Sequence, residues 1–280
     1  MLRPATPADR PQLIALALAE DAAWSGAAEV SAEEAGEVLD RYGPGVIFER
    51  DGRAAGYAAT GEGGGSTLLI DPGVDPDPVL ETLVVWLGER GHHEVETYAR
   101  DARRIAWLEA NGFSHQRSAF DLQRGIDPPL APAVWPDAVT VARYRPGEDD
   151  AAVHALIYVE AAWAEVPGHT QRSLEAWRSL ITPGYCGWVA RREGRPVGWV
   201  LGRVYSDGRG WVEQLAVARS ARRQGLGRAL MLHSLAELRS LGATSLATGV
   251  QGANENAIGL YRDIGFELQR EWRVYAKPAA

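Results

Sequence analysis

The sequence is poor in the residues that support disulfides, metal sites and membrane spans. Its 280 residues include a single cysteine, Cys186, which excludes an internal disulfide or a cysteine-rich metal site and fits a reducing compartment. The six histidines show no recognised zinc spacing. No apolar run approaches the roughly 20 residues of a membrane-spanning helix, and Asp9 precedes any apolar stretch that could act as a secretory signal. We therefore expect a cytoplasmic protein with no resident metal and no membrane partner.

Positive charge is also scarce. Lysine and arginine number 29 against 37 aspartate and glutamate residues, which gives a formal net charge of −8. A nucleic-acid partner normally requires a basic face, so this class of ligand is disfavoured, whereas a small anion needs only a local concentration of cations. At about 150 residues per domain, the length predicts roughly two domains, each large enough to bury a core.

Three segments of the first half recur in the same order in the second half. The pairs are 2–9 with 141–149, 51–57 with 193–199, and 110–113 with 263–266. Because the offset between partners increases along the chain, the pattern indicates one ancestral unit that was duplicated, with small insertions in the second copy. Four prolines make 125–138 an extended linker, which predicts domains at 1–124 and 139–280.

The pattern of apolar runs and turn signals in the second copy predicts a mixed α/β (α+β) fold, with a mostly antiparallel sheet flanked by helices. The main predicted strands are 186–192, 196–205, 210–217 and 244–250. The predicted helices are 149–164, 171–181, 225–241 and 255–264. The repeat extends the same fold to the first copy.

A strand–loop–helix junction in the second copy combines glycine with arginine. An apolar strand ends at Val217, and a helix is predicted to begin around Gly225 and Gly227, which have no Cβ atom and let a phosphate approach the backbone. The first N–H groups of that helix have no internal partner. The nearby cations are Arg219, Arg222, Arg223 and Arg228. The junction predicts a site for a multivalent anion, although a helix start with two glycines and surface arginines has the same pattern.

This junction resembles motif A of the Gcn5-related N-acetyltransferase (GNAT) superfamily, Q/R-x-x-G-x-G/A, through Arg222, Gly225 and Gly227. The segment 254–266 resembles motif B of the same superfamily. The resemblance covers 139–280, and the duplicated layout is similar to that of the mycothiol synthase group. It implies two tandem GNAT folds, with acetyl-CoA as the acyl donor.

The resemblance also implies which residues bind acetyl-CoA. In the family the strand end hydrogen-bonds the pantetheine amides, the loop and first helical turn bind the pyrophosphate, and an asparagine contacts the pantetheine arm. The implied cofactor-binding residues are Leu215, Ala216, Val217, Arg222, Arg223, Gln224, Gly225, Leu226, Gly227, Arg228 and Asn254. No metal is implied.

Acetyl transfer to an amine needs a base, because a primary amine with a pKa of about 10.4 is almost fully protonated at neutral pH. Glu213 lies four residues before the strand end, where the family often places a catalytic carboxylate. Strand alternation predicts that Glu213 shares a face with Trp211, Leu215 and Val217. A solvated or ion-paired strand glutamate is the alternative interpretation. The competing bases are Glu160, Glu165 and His169.

The resemblance to motif B implies that Tyr261 faces the thioester sulfur, which makes it the candidate that assists departure of the CoA thiolate. A phenol with a pKa near 10 cannot easily give its proton to a thiolate whose conjugate acid has a pKa of about 8.5. A hydrogen bond that strengthens as charge builds on sulfur is therefore the expected role. The alternatives are a tyrosine packed against Leu260 and Phe266, and for Asn254 a helix cap.

The first copy lacks the residues to which the resemblance assigns chemistry. The segment 69–78, where motif A is expected, has no glycine pair and no arginine, but it has three aspartates that would repel phosphate. Aligned on the Gly-Phe pair, Asp101 replaces Asn254 and Leu108 replaces Tyr261. We therefore expect a degenerate, non-catalytic first domain.

The acceptor is less well defined. Four tryptophans fall where the second copy is expected to shape the acceptor pocket: Trp163, Trp177, Trp188 and Trp199. Aromatic walls would suit a cationic amine, but core packing explains the same residues equally well.

Together these observations predict an N-acetyltransferase that moves acetyl directly to a primary amine of a small molecule or peptide. The alternatives are a different acyl-CoA donor, or a non-catalytic acyl-CoA sensor, which would need neither Glu213 nor Tyr261.

Overall fold

The computed structural model describes residues 1–25, 30–61, 65–127, 129–166, 169 and 171–277. Pro128 of the predicted linker lies outside the described residues. The chain forms two compact units, the first made of 1–120 and the residues from 269 onward, and the second made of 121–268. The predicted linker at 125–138 is a boundary along the sequence, whereas these units are grouped by contacts, so the predicted domain boundary stays a prediction.

The first unit contains a four-stranded antiparallel sheet with helices on it. Its strands, in the order β1-β2-β3-β4, are β1 (Leu2–Pro4), β2 (Val46–Arg50), β3 (Arg53–Thr60) and β4 (Ser66–Ile70). Its helices are α1 (Arg10–Ser25), α2 (Ala32–Asp40), α3 (Asp77–Gly88) and α4 (Ala102–Ala110). Two further strands follow, β5 (Glu94–Tyr98) and β6 (Ser114–Gly125).

The second unit is built on a sheet in the order β11-β10-β9-β8-β7. The strands are β7 (Val139–Arg143), β8 (Cys186–Arg192), β9 (Arg195–Val204), β10 (Arg209–Val217) and β11 (Ser245–Gln251). All neighbours are antiparallel except β10 and β11, which are parallel. The helices are α5 (Asp150–Ala155), α6 (Leu174–Arg178), α7 (Leu226–Ser240) and α8 (Glu255–Ile264). The predicted mixed α/β fold is confirmed.

The chain returns to the first unit through its last strand, β12 (Glu267–Ala276). Residues 272–276 of β12 pair antiparallel with β5. Just before them, the Nη1 atom of Arg270 lies 2.8 Å from Oδ1 of Asp21 on α1, and both side chains are buried. Residues 270–276 therefore complete the first unit.

The repeated segments adopt the same local structures in both units. Asp51-Gly52 between β2 and β3, and Glu193-Gly194 between β8 and β9, all have positive φ angles, as two-residue hairpin turns require. Gly112 follows α4 with φ 81°, and Gly265 follows α8 with φ 95°. These left-handed residues end their helices as expected for glycine. The predicted repeat of hairpins and helix ends is confirmed.

The helix predicted over 149–164 is interrupted. α5 ends at Ala155, and Leu156–Glu160 form a π-helical turn closed by a hydrogen bond from Ala161 N to Leu156 O at 2.7 Å. Ala162 then has a left-handed φ of 56°, which no helix continues. The helix predicted over 171–181 is also shorter, because α6 covers only Leu174–Arg178.

Candidate functional site

The strands β10 and β11 separate in the middle of the second unit. They pair in parallel from Arg209 with Ser245 to Val212 with Thr248, yet β10 runs on to Val217. Beyond Val212, the described pairings of β10 are with β9 alone. One edge of 214–217 therefore offers backbone N–H and C=O groups to a ligand, as the edge of a strand does where its neighbour has separated from it.

A β-bulge at Glu213 coincides with this separation. The pairing of β10 with β9 shifts register between Val212 and Gln214. Trp211 is paired with Arg203 and Leu215 with Val200, and positions 200 and 203 of β9 point to opposite faces. The prediction that Trp211 and Leu215 share a face is therefore wrong, because the bulge adds one residue and reverses the alternation.

The junction after β10 is open at the backbone. A 3-10 turn at Arg219–Ala221 leads to Gly225, which is the N-cap of α7 and has φ 83°. A Cβ atom built on Gly225 would meet no atom within 4 Å in the part of the chain that the structure describes. Because the N-cap has no side chain, no capping side chain bonds the first N–H groups of the 15-residue α7. The left-handed turn thus requires glycine at 225, and the helix start can bind an anion.

The arginines of the junction differ in their partners. Arg219 forms an ion pair with Glu165. Arg222 donates from Nε to Val217 O at 3.2 Å and from Nη2 to Ala161 O at 2.7 Å. Arg223 and Arg228 are exposed. Arg223 also has a left-handed φ of 61°, which is uncommon for a residue with a Cβ atom.

The neighbouring loop residue Gln224 is held by side-chain contacts. It accepts a hydrogen bond from Arg192 at 2.6 Å and donates one to Ser220 O at 3.2 Å. Leu226 is buried and anchors the helix start. Gly227 is half-buried, and a Cβ atom added to it would lie 3.6 Å from the Val217 side chain. These contacts hold the end of the loop that leads into α7.

Tyr261 lies where β10 and β11 separate. It is 5% exposed and forms a hydrogen bond with Thr248, the last residue of β11 paired with β10. Burial raises the pKa of Tyr261 to about 12, and the bond with Thr248 opposes that rise. The Thr248 hydroxyl also lies 3.0 Å from Val212 O. Sequence reasoning missed Thr248, whose only signal is a hydroxyl among the apolar residues of 246–250.

Asn254 caps the helix that carries Tyr261. Its side-chain oxygen accepts a hydrogen bond from Ala257 N at 3.2 Å. Asp101 does the same in the first unit, where it accepts from Arg104 N at 2.9 Å. The capping alternative is therefore confirmed for Asn254. An amide that caps through its oxygen still has its NH₂ group to donate to a ligand.

The candidate bases stand in different surroundings. Glu213 is half-buried on the bulge. Glu160 is exposed at the end of the π-helical turn, and Glu165 is engaged by Arg219. His169 is also exposed, with its ring centroid 5.0 Å from that of Trp163. Of these four residues, only Glu213 is on β10, the strand that borders the opening left where β10 and β11 separate.

Two of the four tryptophans considered for the acceptor pocket belong to the core. Trp177 and Trp199 are fully buried, and both indole N–H groups donate to Oε1 of Gln214, at 3.3 and 2.9 Å. Trp188 packs edge-on against His233 of α7, with centroids 4.4 Å apart. Cys186 is buried as well: its thiol donates to Gly202 O, and burial raises its pKa, as expected for a packed thiol.

The first unit fills the corresponding position with its own side chains. Glu20 and Arg104 form a buried ion pair, each 2% exposed, and Asp101 lies 3.1 Å from Nε of Arg104. The N–H of Ile70, the last residue of β4, donates to Glu20. Burial raises the pKa of Glu20, although Arg104 opposes the rise. At the end of β4, a carboxylate of the chain itself thus engages the backbone.

Neither a metal cluster nor a membrane-spanning helix is found among the residues that the structure describes. In that part of the chain, no group of three or more histidine, cysteine, aspartate or glutamate residues is arranged to hold a metal ion. None of its helices is both long enough and apolar enough to cross a membrane.

Comparison with known proteins gives consistent matches. The model of the Acetyltransferase (GNAT) family matches residues 152–266. The mycothiol acetyltransferase of Thermomonospora curvata is 29% identical over 245 residues, covering 83% of this chain and 82% of that protein. The mycothiol acetyltransferase of Streptomyces griseus is 30% identical over 246 residues, covering 77% and 74%.

Solved structures match over the full length. A GCN5-related N-acetyltransferase from Sphaerobacter thermophilus has a TM-score of 0.78 at 21% identity, covering 99% of this chain and 95% of that chain. A tandem GNAT protein from the clavulanic acid biosynthesis pathway has a TM-score of 0.72 at 17% identity, with complete coverage of both chains. At these identities the likeness establishes the fold, and with it the tandem arrangement.

Proposed function

Because the chain belongs to the GNAT acetyltransferase family, we propose that it moves an acetyl group from acetyl-CoA directly to a primary amine of a small molecule. The observation that carries the proposal is the opening between β10 and β11, which has the uncapped start of α7 near one end and Tyr261 at its base. A peptide amine is the wider form of the same acceptor class.

The residues at the opening fit acetyl-CoA as a substrate. The backbone of Leu215–Val217 provides the amide-binding edge, and Asn254 provides an NH₂ group for the pantetheine arm. Residues 223–228 provide helix-start N–H groups and two exposed arginines for the pyrophosphate. This local positive charge explains how a chain with a net negative charge binds a polyanion.

Proton transfer is assigned to Glu213 and Tyr261. Glu213 accepts the proton of the attacking amine, directly or through a water molecule. Tyr261 keeps its proton at neutral pH, since its pKa is about 12. Full transfer to a thiolate whose acid has a pKa of about 8.5 would be uphill by about 5 kcal/mol, so Tyr261 stabilises the departing thiolate by hydrogen bonding. The thiolate then takes its proton from solvent.

The choice of acceptor follows from the relatives. Several of them, including the two described above, are named mycothiol acetyltransferases. The acceptor of those enzymes is therefore the first amine to test. The degenerate first unit, whose β4 end is engaged by Glu20, is assigned a non-catalytic role.

Calorimetric titration with acetyl-CoA, followed by a thiol-release screen of amines, tests the proposal. We expect one acetyl-CoA bound per chain, and CoA release that depends on an amine. Binding without release for any amine would instead indicate a sensor, and no binding would refute the proposal. Titration with propionyl- and succinyl-CoA identifies a different preferred donor.

A further inference from the structure

Arg222 is placed differently from the other arginines of the junction. Its guanidinium donates from Nε to the carbonyl of Val217 and from Nη2 to the carbonyl of Ala161, at 3.2 and 2.7 Å. These two nitrogens form the side edge of the guanidinium, which is one of the edges that bind a phosphate with two parallel hydrogen bonds. In Arg222 this edge is used by two backbone carbonyls.

The two carbonyls belong to segments of different function. Val217 ends β10, the strand assigned to the pantetheine amides. Ala161 ends the π-helical turn Leu156–Glu160, which packs against β9 and β10 on the way to Trp163–Glu165. Arg222 therefore links the end of β10 to the segment 156–165, which contains Trp163 and two of the competing bases, Glu160 and Glu165.

The backbone of segment 156–165 is irregular and needs contacts that hold it in place. A π-helical turn is rare in proteins and is frequently found at functional sites. Ala162, next to the carbonyl that Arg222 binds, has φ 56°, a left-handed conformation that strains a residue with a Cβ atom. Arg219 adds a second contact with the same segment through its ion pair with Glu165. Two separate contacts thus hold a strained segment against the junction.

We infer that Arg222 is a positioning residue for the acceptor side, whereas Arg223 and Arg228 contact the pyrophosphate. This inference rests on the proposed function and divides the cations of the junction by task. Arg222 sets the position of 156–165 relative to the end of β10, so that this side of the acceptor site is already formed when the amine binds. The side chains of Arg222 and Arg223 are both exposed, but Arg222 donates to two backbone carbonyls, whereas the charge of Arg223 is assigned to the ligand.

The two adjacent arginines provide a matched pair of variants, Arg222→Gln and Arg223→Gln, each of which removes one positive charge. For Arg222→Gln we expect the KM of the acceptor to rise at least fivefold, while the calorimetric Kd of acetyl-CoA changes less than twofold. For Arg223→Gln we expect the Kd of acetyl-CoA to rise at least threefold, with the acceptor KM unchanged. Arg222→Lys keeps the charge but loses the two-point contact, and should behave like Arg222→Gln.

Hydrogen exchange without substrates gives a second readout that needs no activity. The amides of Ala161, Glu165 and Val166 are bonded within the segment, so they should exchange at least tenfold faster in Arg222→Gln than in Arg223→Gln. The inference is overturned if Arg222→Gln weakens acetyl-CoA binding as Arg223→Gln does, if Arg222→Lys restores wild-type behaviour, or if exchange in the two variants is equal. Failure of the wild-type protein to bind acetyl-CoA would instead refute the proposed function.

Discussion

Replacing Tyr261 with phenylalanine removes one buried hydroxyl and leaves the ring in place. The phenol is 5% exposed and keeps its proton, because its pKa is about 12. A hydrogen bond to a charged group contributes about 1.5–3 kcal/mol. If that bond forms only as the thiolate departs, its loss lowers kcat by about 10-fold to 150-fold, since about 1.4 kcal/mol corresponds to a factor of ten.

The assay follows CoA release at saturating acetyl-CoA and acceptor, with the Kd of acetyl-CoA measured by calorimetry. We expect kcat to fall by the factor above and the Kd to change less than twofold. Tyr98→Phe is a matched control, because Tyr98 is a buried phenol of the first unit that donates to Asp21 at 3.1 Å. It should lower the melting temperature without lowering kcat.

The pH dependence tests the protonation state. Below a pKa of about 12 the phenol is neutral and able to donate, and above it the donor is lost. The ratio of wild-type to Tyr261→Phe kcat should therefore stay constant from about pH 7 to about pH 10. A ratio that falls to one well below that upper limit, or equal kcat values at neutral pH, would refute the role given to Tyr261.

Three further substitutions test separate parts of the structure. Gly227→Asp should weaken acetyl-CoA binding at least tenfold by calorimetry, since it places a negative charge in the first turn of α7; Gly227→Ala, with 3.6 Å to Val217, should bind nearly normally. Arg104→Ala leaves the buried Glu20 and Asp101 without their cation and should lower the free energy of unfolding by about 3–5 kcal/mol in urea titrations. Gln214→Leu removes the acceptor of two buried indole N–H groups and should lower the free energy of unfolding by about 2–6 kcal/mol. An unchanged free energy of unfolding would contradict these two hydrogen bonds.

Sequence alone predicts the parts of the structure that depend on neighbouring residues. Asp51-Gly52 and Glu193-Gly194 form the predicted turns because their φ angles are a local property of those residue pairs. The end of β10 and the start of α7 also lie within a residue or two of their predicted positions, since Gly225 and the end of the apolar run mark them. Local chemistry is sufficient to position the junction.

Sequence is insufficient where structure depends on a partner distant in the chain. The bulge at Glu213 is set by the register of β10 against β9, which no pattern within 209–217 reveals. The hydrogen bond between Tyr261 and Thr248 and the one that Arg222 donates to Ala161 O join residues that are not neighbours in sequence. The motif predicts phosphate binding for Arg222, and its two carbonyl partners are visible only in three dimensions.

The path of the last strand decides how this protein can be divided. A fragment cut anywhere in 125–138 would keep α1 to α4 but lose β12, so that β5 would present an open edge and the buried Asp21 would lose Arg270. Such a fragment would be prone to aggregate through the newly exposed edge of β5. Separate expression of the first unit should therefore append residues 269–277 through a short artificial connection, instead of ending the fragment at the prolines.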